Sequence, residues 1–319
     1  MFGLLMVKMR SIHRGFITLA ALAIIMVLTA CSSEAETGSD GKVQVTATTG
    51  MIADVAREVG GAYVDVTGLM GPGVDPHLYK ASQGDIRKLE QASVILYNGL
   101  HLEGKMTDIL EKMSKSKIVT AVTENIPVDQ LRSGKETGGT EYDPHVWFDV
   151  GHWIHATESI RDTLIKADPA HEEQYKAQAE QYLGKLQALD EEVRQQIQEI
   201  PEASRVLVTA HDAFGYFGQA YGMNVMGLQG ISTAAEYGAK DVSELRDYLV
   251  ENQIKAVFVE SSVPAKAMEA IIAGAAEKGH TVTIGGELFS DAMGAEGTEE
   301  GTYIGMIRHN IQTIVEALK

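Results

Sequence analysis

Apolar and polar positions along the chain follow two alternating periods. Residues 43–49 (VQVTATT), 64–69 (VDVTGL), 94–98 (VILYN) and 118–122 (IVTAV) are short, β-branched apolar runs that predict strands. Between them, residues 51–59, 83–92 and 102–113 carry apolar side chains at helical spacing. Strand-helix alternation of this kind implies right-handed βαβ units and a mainly parallel sheet. Residues 123–142, rich in Gly, Pro and charge, break the rhythm as a loop, and helical pattern resumes near Gly151. The alternation restarts with strands at 205–209, 224–228, 256–260 and 281–284. The second set of helices falls at 213–221, 242–252, 265–278 and 302–318.

The stretch 169–200 (PAHEEQYKAQAEQYLGKLQALDEEVRQQIQEI) is a different object. Dense in Glu, Gln, Lys, Ala and Leu, it starts with Pro169 at a favourable first-turn position and is stopped by Pro201. A continuous helix of this length spans on the order of 45 Å, enough to bridge two domains. The expected fold is therefore α/β: two lobes, each a mainly parallel four-stranded sheet with flanking helices, joined by one long rigid helix. The boundaries predicted are 42–168 for the first lobe, 169–200 for the linking helix and 201–319 for the second lobe.

The N-terminus does not fit this pattern. Lys8, Arg10 and Arg14 precede an uncharged run at 16–30 (FITLAALAIIMVLTA), short for a membrane span and suited to a signal-peptide core. The run ends Leu28-Thr29-Ala30-Cys31, which resembles the lipobox of bacterial lipoproteins, where cleavage precedes a cysteine that carries diacylglycerol. Residues 1–30 are thus expected to be a lipoprotein signal peptide. The polar stretch 31–41, beginning at the lipidated Cys31, is expected to be a flexible tether. The protein is then held at the extracytoplasmic face of the cell membrane through its lipid alone.

Composition narrows the function. With 319 residues, 45% hydrophobic and 22% charged, the chain is long and apolar enough to bury a sizeable core. A formal charge of −17 argues against nucleic acid, whose phosphates demand excess Lys and Arg. A single cysteine excludes a disulfide framework and any multi-Cys zinc site.

Histidine placement carries the chemistry. His77 (GPGVDPHLYK) and His145 (YDPHVWFD) each follow Asp-Pro ahead of a helix, and His211 (TAHDAF) follows the strand RVLVT. Ligands of open parallel sheets bind at the carboxyl ends of the strands, where such loops converge. Three imidazoles from separate loops can meet there, and neutral imidazole is a common transition-metal ligand. The Asp of each triplet can accept from the other ring nitrogen. Glu260, Glu287 and Asp291 are all candidate oxygen ligands, and spacing does not choose among them. His101, in GLHLEG at a strand's carboxyl end, is a candidate to line the cleft.

Taken together, GPGVDPHLYKASQGD, GLHLEGKM, DPHVWFD, VLVTAHDAFGYFGQAYG, FVESSV and GGELFSDAMG resemble the zinc- and manganese-binding lipoproteins of bacterial metal-ion ABC transporters, most closely the manganese-type members. The resemblance covers essentially the whole mature chain. It implies two α/β lobes bridged by one rigid helix, with the metal between them; a rigid connecting helix suggests limited lobe closure. The family's ligands fall on His77, His145, His211 and Asp291, leaving Glu260, Glu287 and His101 as residues around them. The implied role is capture of Mn2+, with Zn2+ as the alternative, and delivery by a monomeric carrier to a membrane permease driven by its ATPase. A metal-dependent hydrolase and a surface adhesin are distant alternatives; no enzyme activity is expected. Because binding needs neutral imidazoles, affinity is expected to fall below about pH 6.5.

Overall fold

The computed structural model describes residues 41–134 and 141–319. Residues 1–30, most of the tether and Cys31 lie outside the described residues. Strands β1 (Val43–Ala47), β2 (Val64–Gly68), β3 (Val94–Tyr97) and β4 (Ile118–Ala121) form one four-stranded sheet in the order β2-β1-β3-β4, every pair parallel. β1 is buried at every position but Gln44, as a central strand covered on both faces must be. Because β2 and β3 flank β1 on opposite sides, the chain reverses direction there, and a crevice opens beyond the strand ends.

Helices α1 (Gly50–Gly60), α2 (Gln83–Gln91) and α3 (Thr107–Ser114) connect these strands. Ser82 and Asp85 start α2 with a reciprocal capping box. α4 (Val150–Ala167), capped by the Asp149 side chain on the Gly151 N–H, then leads to the long helix. Pro169–His171 forms a 3-10 turn, followed by α5 (Glu172–Gln198). Tyr175, Ala179, Tyr182, Leu186, Leu189, Val193 and Ile197 are buried along α5, a three-and-four spacing that puts one apolar stripe on one face.

The second half holds β5 (Val206–His211), α6 (Gly215–Tyr221), β6 (Asn224–Gln229), α7 (Ala239–Glu251), β7 (Ala256–Glu260), α8 (Lys266–Glu277), β8 (Thr283–Leu288) and α9 (Tyr303–Leu318). Its strands differ from the expected single sheet: β5–β6 and β7–β8 are two parallel pairs, with β5 and β7 side by side. At the end of β5, the backbone of His211 bonds to the Glu260 and Thr209 side chains and to the Ala213 N–H rather than to the backbone of β7. Its N–H donates to Glu260 Oε1 at 2.9 Å, and its carbonyl accepts from Thr209 Oγ1 at 2.8 Å. A register shift between Val257 and Phe258 further disturbs the adjoining ladder.

β8 also runs four residues beyond the predicted strand. Gly285 and Gly286 read as breakers in sequence, yet here they admit α9. A Cβ on Gly285 would lie 2.7 Å from Ala317 Cβ, and one on Gly286, at φ +154°, 2.3 Å from Thr313 Cγ2.

Among the described residues, three apolar clusters stabilise the protein. One sits in each half, and the largest runs from Val43 and Val45 through Trp147, Trp153 and the α5 stripe to Tyr303 and Ile314, so both halves share it. Across its exposed side, α5 is clamped to α1 by Lys185–Glu58 (2.8 Å) and to α9 by the two-pronged Arg308–Glu192 pair (2.9–3.2 Å).

Candidate metal centre

The crevice beyond the sheets is built on a welded edge. At the end of β3, the buried Glu103 carboxylate accepts from Thr48 Oγ1 (2.6 Å) and from the N–H groups of Asn98 (2.7 Å) and Gly99 (3.3 Å). Asn98 Nδ2 in turn donates to the carbonyl of Pro144 at 3.0 Å, which fixes the Asp-Pro-His loop carrying His145. His77 lies in the loop between β2 and α2, His211 ends β5, and Asp291 follows β8.

These four side chains are buried and converge. Each offers a ligand atom, and those atoms all lie within 4.8 Å of one another. His77 Nε2 is 3.2 Å from His145 Nε2; Asp291 Oδ1 is 3.3 Å from His145 Nε2, and Oδ2 is 3.3 Å from His211 Nε2 and 3.7 Å from His77 Nε2. A tetrahedron with zinc-like bonds has edges of about 3.3 Å. His211 Nε2 and both Asp291 oxygens are buried without a hydrogen-bond partner, as donors awaiting a cation would be. The set fits a divalent transition metal.

The far ring nitrogens are held by acids. His145 Nδ1 and the His145 N–H both contact Asp143 Oδ1, at 2.8 and 3.0 Å. His211 Nδ1 stands 2.5 Å from Glu260 Oε2. An N–H at Nδ1 leaves the Nε2 lone pair facing the centre, the tautomer a metal requires. Asp75, the acid of the other triplet, behaves differently from Asp143. It accepts the backbone N–H of His77 (2.9 Å) and the hydroxyl of Thr233 (2.6 Å), so it holds the loop rather than the ring.

Charge and burial compete at this point. Burial pushes His77 down to about 3, against the pull of Asp291, and the ring is neutral. Burial opposes the charged form of His145 too, but contacts to Asp143 and Asp291 outweigh it and raise the ring to about 9. His211 is likewise raised, burial being overcome by the charges of Glu260 and Asp291. Asp291, despite burial, is held well below the usual carboxylate range by His211, His145 and His77.

Two expected neighbours lie elsewhere. Glu287 is exposed on β8, alternate to the buried Leu288, and its backbone carbonyl accepts from His309 Nε2 at 3.1 Å. His101 is also exposed. Positive φ at Gly99, Leu100 and His101 (87°, 50° and 72°) turns the chain outward, and His101 lines a separate cavity with Thr107 and Glu111. Residues the sequence reading missed include Glu103, Asn98 and Trp147. The Trp147 indole Nε1 donates to the carbonyl of Ser290, and its own carbonyl accepts from Tyr303 Oη.

A buried three-imidazole, one-carboxylate centre on the carboxyl edges of parallel strands defines a metal-binding protein of α/β architecture. The family described as ZnuA, zinc-uptake complex component A, periplasmic, matches residues 45–317, and the chain belongs to it. It is 56% identical over 301 residues to the manganese-binding lipoprotein MntA of Bacillus subtilis (strain 168), covering 94% of this chain and 98% of that one. It is 48% identical over 298 residues to the zinc-binding protein TroA of Treponema pallidum (strain Nichols), covering 93% and 96%. The solved structure of the periplasmic zinc-binding TroA from Treponema pallidum superposes with a TM-score of 0.85 at 50% identity, covering 87% of this chain and 99% of that one.

Proposed function

We propose that this chain is an extracytoplasmic carrier. It takes up Mn2+ between His77, His145, His211 and Asp291 and hands it to the permease of an ATP-driven importer. The observation that carries this reading is the convergence of four buried metal-binding side chains whose ligand atoms lie within 4.8 Å of one another. Three Nε2 atoms and a carboxylate replace the hydration shell of the ion. Asp143 and Glu260 keep the rings of His145 and His211 turned inward. Four protein ligands make a closed set, whereas catalytic zinc sites keep a position open for water, so the reading is binding and delivery rather than hydrolysis. Manganese is supported by the name of the 56%-identical relative.

Zn2+ is the second reading. It is supported by the preference of imidazole-rich sites for Zn2+ and by the zinc-binding relative at 48% identity. Metal analysis of protein purified without chelator, followed by competition between Mn2+ and Zn2+, tests both. Absence of any stoichiometric metal would overturn the carrier role.

We also propose the chain's organisation and address: a signal peptide at 1–30, a lipidated tether from Cys31, lobes at 42–168 and 201–319, and a linking helix at 169–200, working as a monomer. Support comes from the Leu-Thr-Ala-Cys sequence and from relatives named lipoproteins. Among the described residues, no helix is long and apolar enough to cross a membrane. Cys31→Ala should leave metal binding intact while releasing the protein from the membrane fraction; a variant still carrying acyl label at that position would overturn the anchor.

A further inference from the structure

Arg132 lies outside the metal cluster, yet its contacts reach both sides of it. It follows the 3-10 turn Val128–Gln130 in the first half of the chain. Its carbonyl accepts the Asp143 N–H at 2.9 Å, and its Nε stands 3.3 Å from Asp143 Oδ2. The other oxygen of that carboxylate, Oδ1, holds His145. Asp143 is fully buried, and Oδ2 has no hydrogen-bond partner, so the guanidinium supplies its compensating charge.

The far end of Arg132 reaches the second half of the chain. Nη1 donates to the carbonyl of Gly215 at 2.8 Å, at the start of the helix that follows His211. Tyr216 closes the link: its hydroxyl accepts the Arg132 N–H and donates to the Asp143 carbonyl, each at 3.0 Å. The approach depends on glycine, because a Cβ at position 215 would lie 2.4 Å from Arg132 Nη2. Arg132 and Asp212, the residue after His211, also line one small cavity. A planar fork can serve a carboxylate and a carbonyl at once, which a lysine ammonium does less well.

We infer that Arg132 is a positioning residue for the metal centre: by holding Asp143 against the Gly215 end of α6, it fixes the His145 ring relative to the half of the chain that carries His211 and Asp291. This rests on the carrier reading above. Removing Arg132 leaves Asp143 buried without its cation and frees it to turn, and His145 turns with it. Loss of a residue that orients a ligand typically costs 10–100-fold in metal affinity.

The test uses the full-length chain in detergent, unsubstituted and as Arg132→Ala, Arg132→Lys and Gly215→Ala. Affinities for Zn2+ and Mn2+ are measured by chelator competition, and the visible spectrum of bound Co2+ reports ligand geometry. Arg132→Ala should bind both ions ten- to a hundredfold more weakly and alter the Co2+ spectrum. Arg132→Lys should fall between it and the unsubstituted chain. Gly215→Ala, which keeps Arg132 but displaces its fork, should shift affinity and spectrum in the same direction, and it decides the matter if Arg132→Ala does not fold. Unaltered affinity and spectrum, or a lower melting temperature with both unaltered, would show that Arg132 only supports the fold and would overturn the inference. Failure of the unsubstituted chain to bind metal would overturn the carrier reading itself and this inference with it.

Discussion

The Trp147 indole donates to the carbonyl of Ser290 at 3.0 Å, so the residue two beyond His145 holds the residue immediately before Asp291. Two of the four converging side chains are thereby tied through one buried hydrogen bond that crosses between the halves of the chain. Trp147→Phe keeps most of the ring volume but leaves the Ser290 carbonyl without this donor. The expected cost is about 1–3 kcal/mol of stability, with weaker metal binding as the Asp291 loop loosens. Urea denaturation and chelator competition on the variant check both effects. The indole also lies 5.2 Å from the His145 ring, so metal-dependent fluorescence should shrink in the variant.

Glu260 is expected to control the His211 tautomer. Glu260→Gln preserves an oxygen for the His211 N–H, but its amide nitrogen can donate to His211 Nδ1 and drive the ring proton to Nε2, where the metal should bind. Affinity should fall 10–100-fold with the fold intact. Equal affinities for variant and parent in competition titrations would exclude this role.

Metal binding should release about two protons per ion near pH 7. With His145 raised to about 9 by Asp143 and Asp291, and His211 also raised by Glu260 and Asp291, both should carry a proton in the metal-free protein that binding must displace. Affinity therefore falls as pH drops from well above neutrality, rather than only below the 6.5 of an ordinary histidine. Titration calorimetry in buffers of different ionisation enthalpy counts the protons directly.

His211→Glu should raise the Mn2+-to-Zn2+ affinity ratio several-fold, because a carboxylate is a harder ligand than imidazole. The structure adds a cost. The new carboxylate would sit beside Glu260 and Asp291 in a buried site, so both affinities should drop. Combining it with Glu260→Gln should recover part of the Mn2+ affinity while keeping the altered ratio, as competition titrations would reveal.

Asp54 on α1 accepts the Tyr303 N–H at the start of α9 at 2.9 Å, and burial raises its carboxyl from 3.8 to about 6. A raised folded value means the folded protein holds a proton that the unfolded chain releases. This contribution to stability is fully present below about pH 4 and is lost as pH rises through about 6. Asp54→Asn keeps an acceptor and removes the slope. It should be more stable than the parent at pH 8 by on the order of 1–3 kcal/mol, with little gain at pH 4. Parallel unfolding curves at the two pH values measure the difference.

Local pattern made much of this legible in sequence. β1 and the α5 stripe declared themselves because burial on both faces, or on one helical face, leaves its period in the residues. His77, His145 and His211 stood out because a proline or a strand end fixes the backbone before each. What stayed hidden depends on contacts distant along the chain. β8 looked too short because Gly285 and Gly286 are explained only by α9 pressing on them. Glu287 and His101 looked like site residues until strand alternation and three consecutive positive φ angles turned them outward. Arg132 gave no signal, since its partner Gly215 is 83 residues away.

Among the described residues, the two halves share one apolar core, with α5 clamped to α1 and α9, and such continuity resists a hinge opening between them. Loading should therefore change size and overall shape little, which small-angle scattering of the metal-bound and stripped protein would check. What an ion could change is the surface just around the crevice, where Leu78 stands half-exposed one residue past His77. On this geometry the ion's imprint should be local stiffness, with the loops around His77, His145, His211 and Asp291 held more firmly once an ion pins them from within.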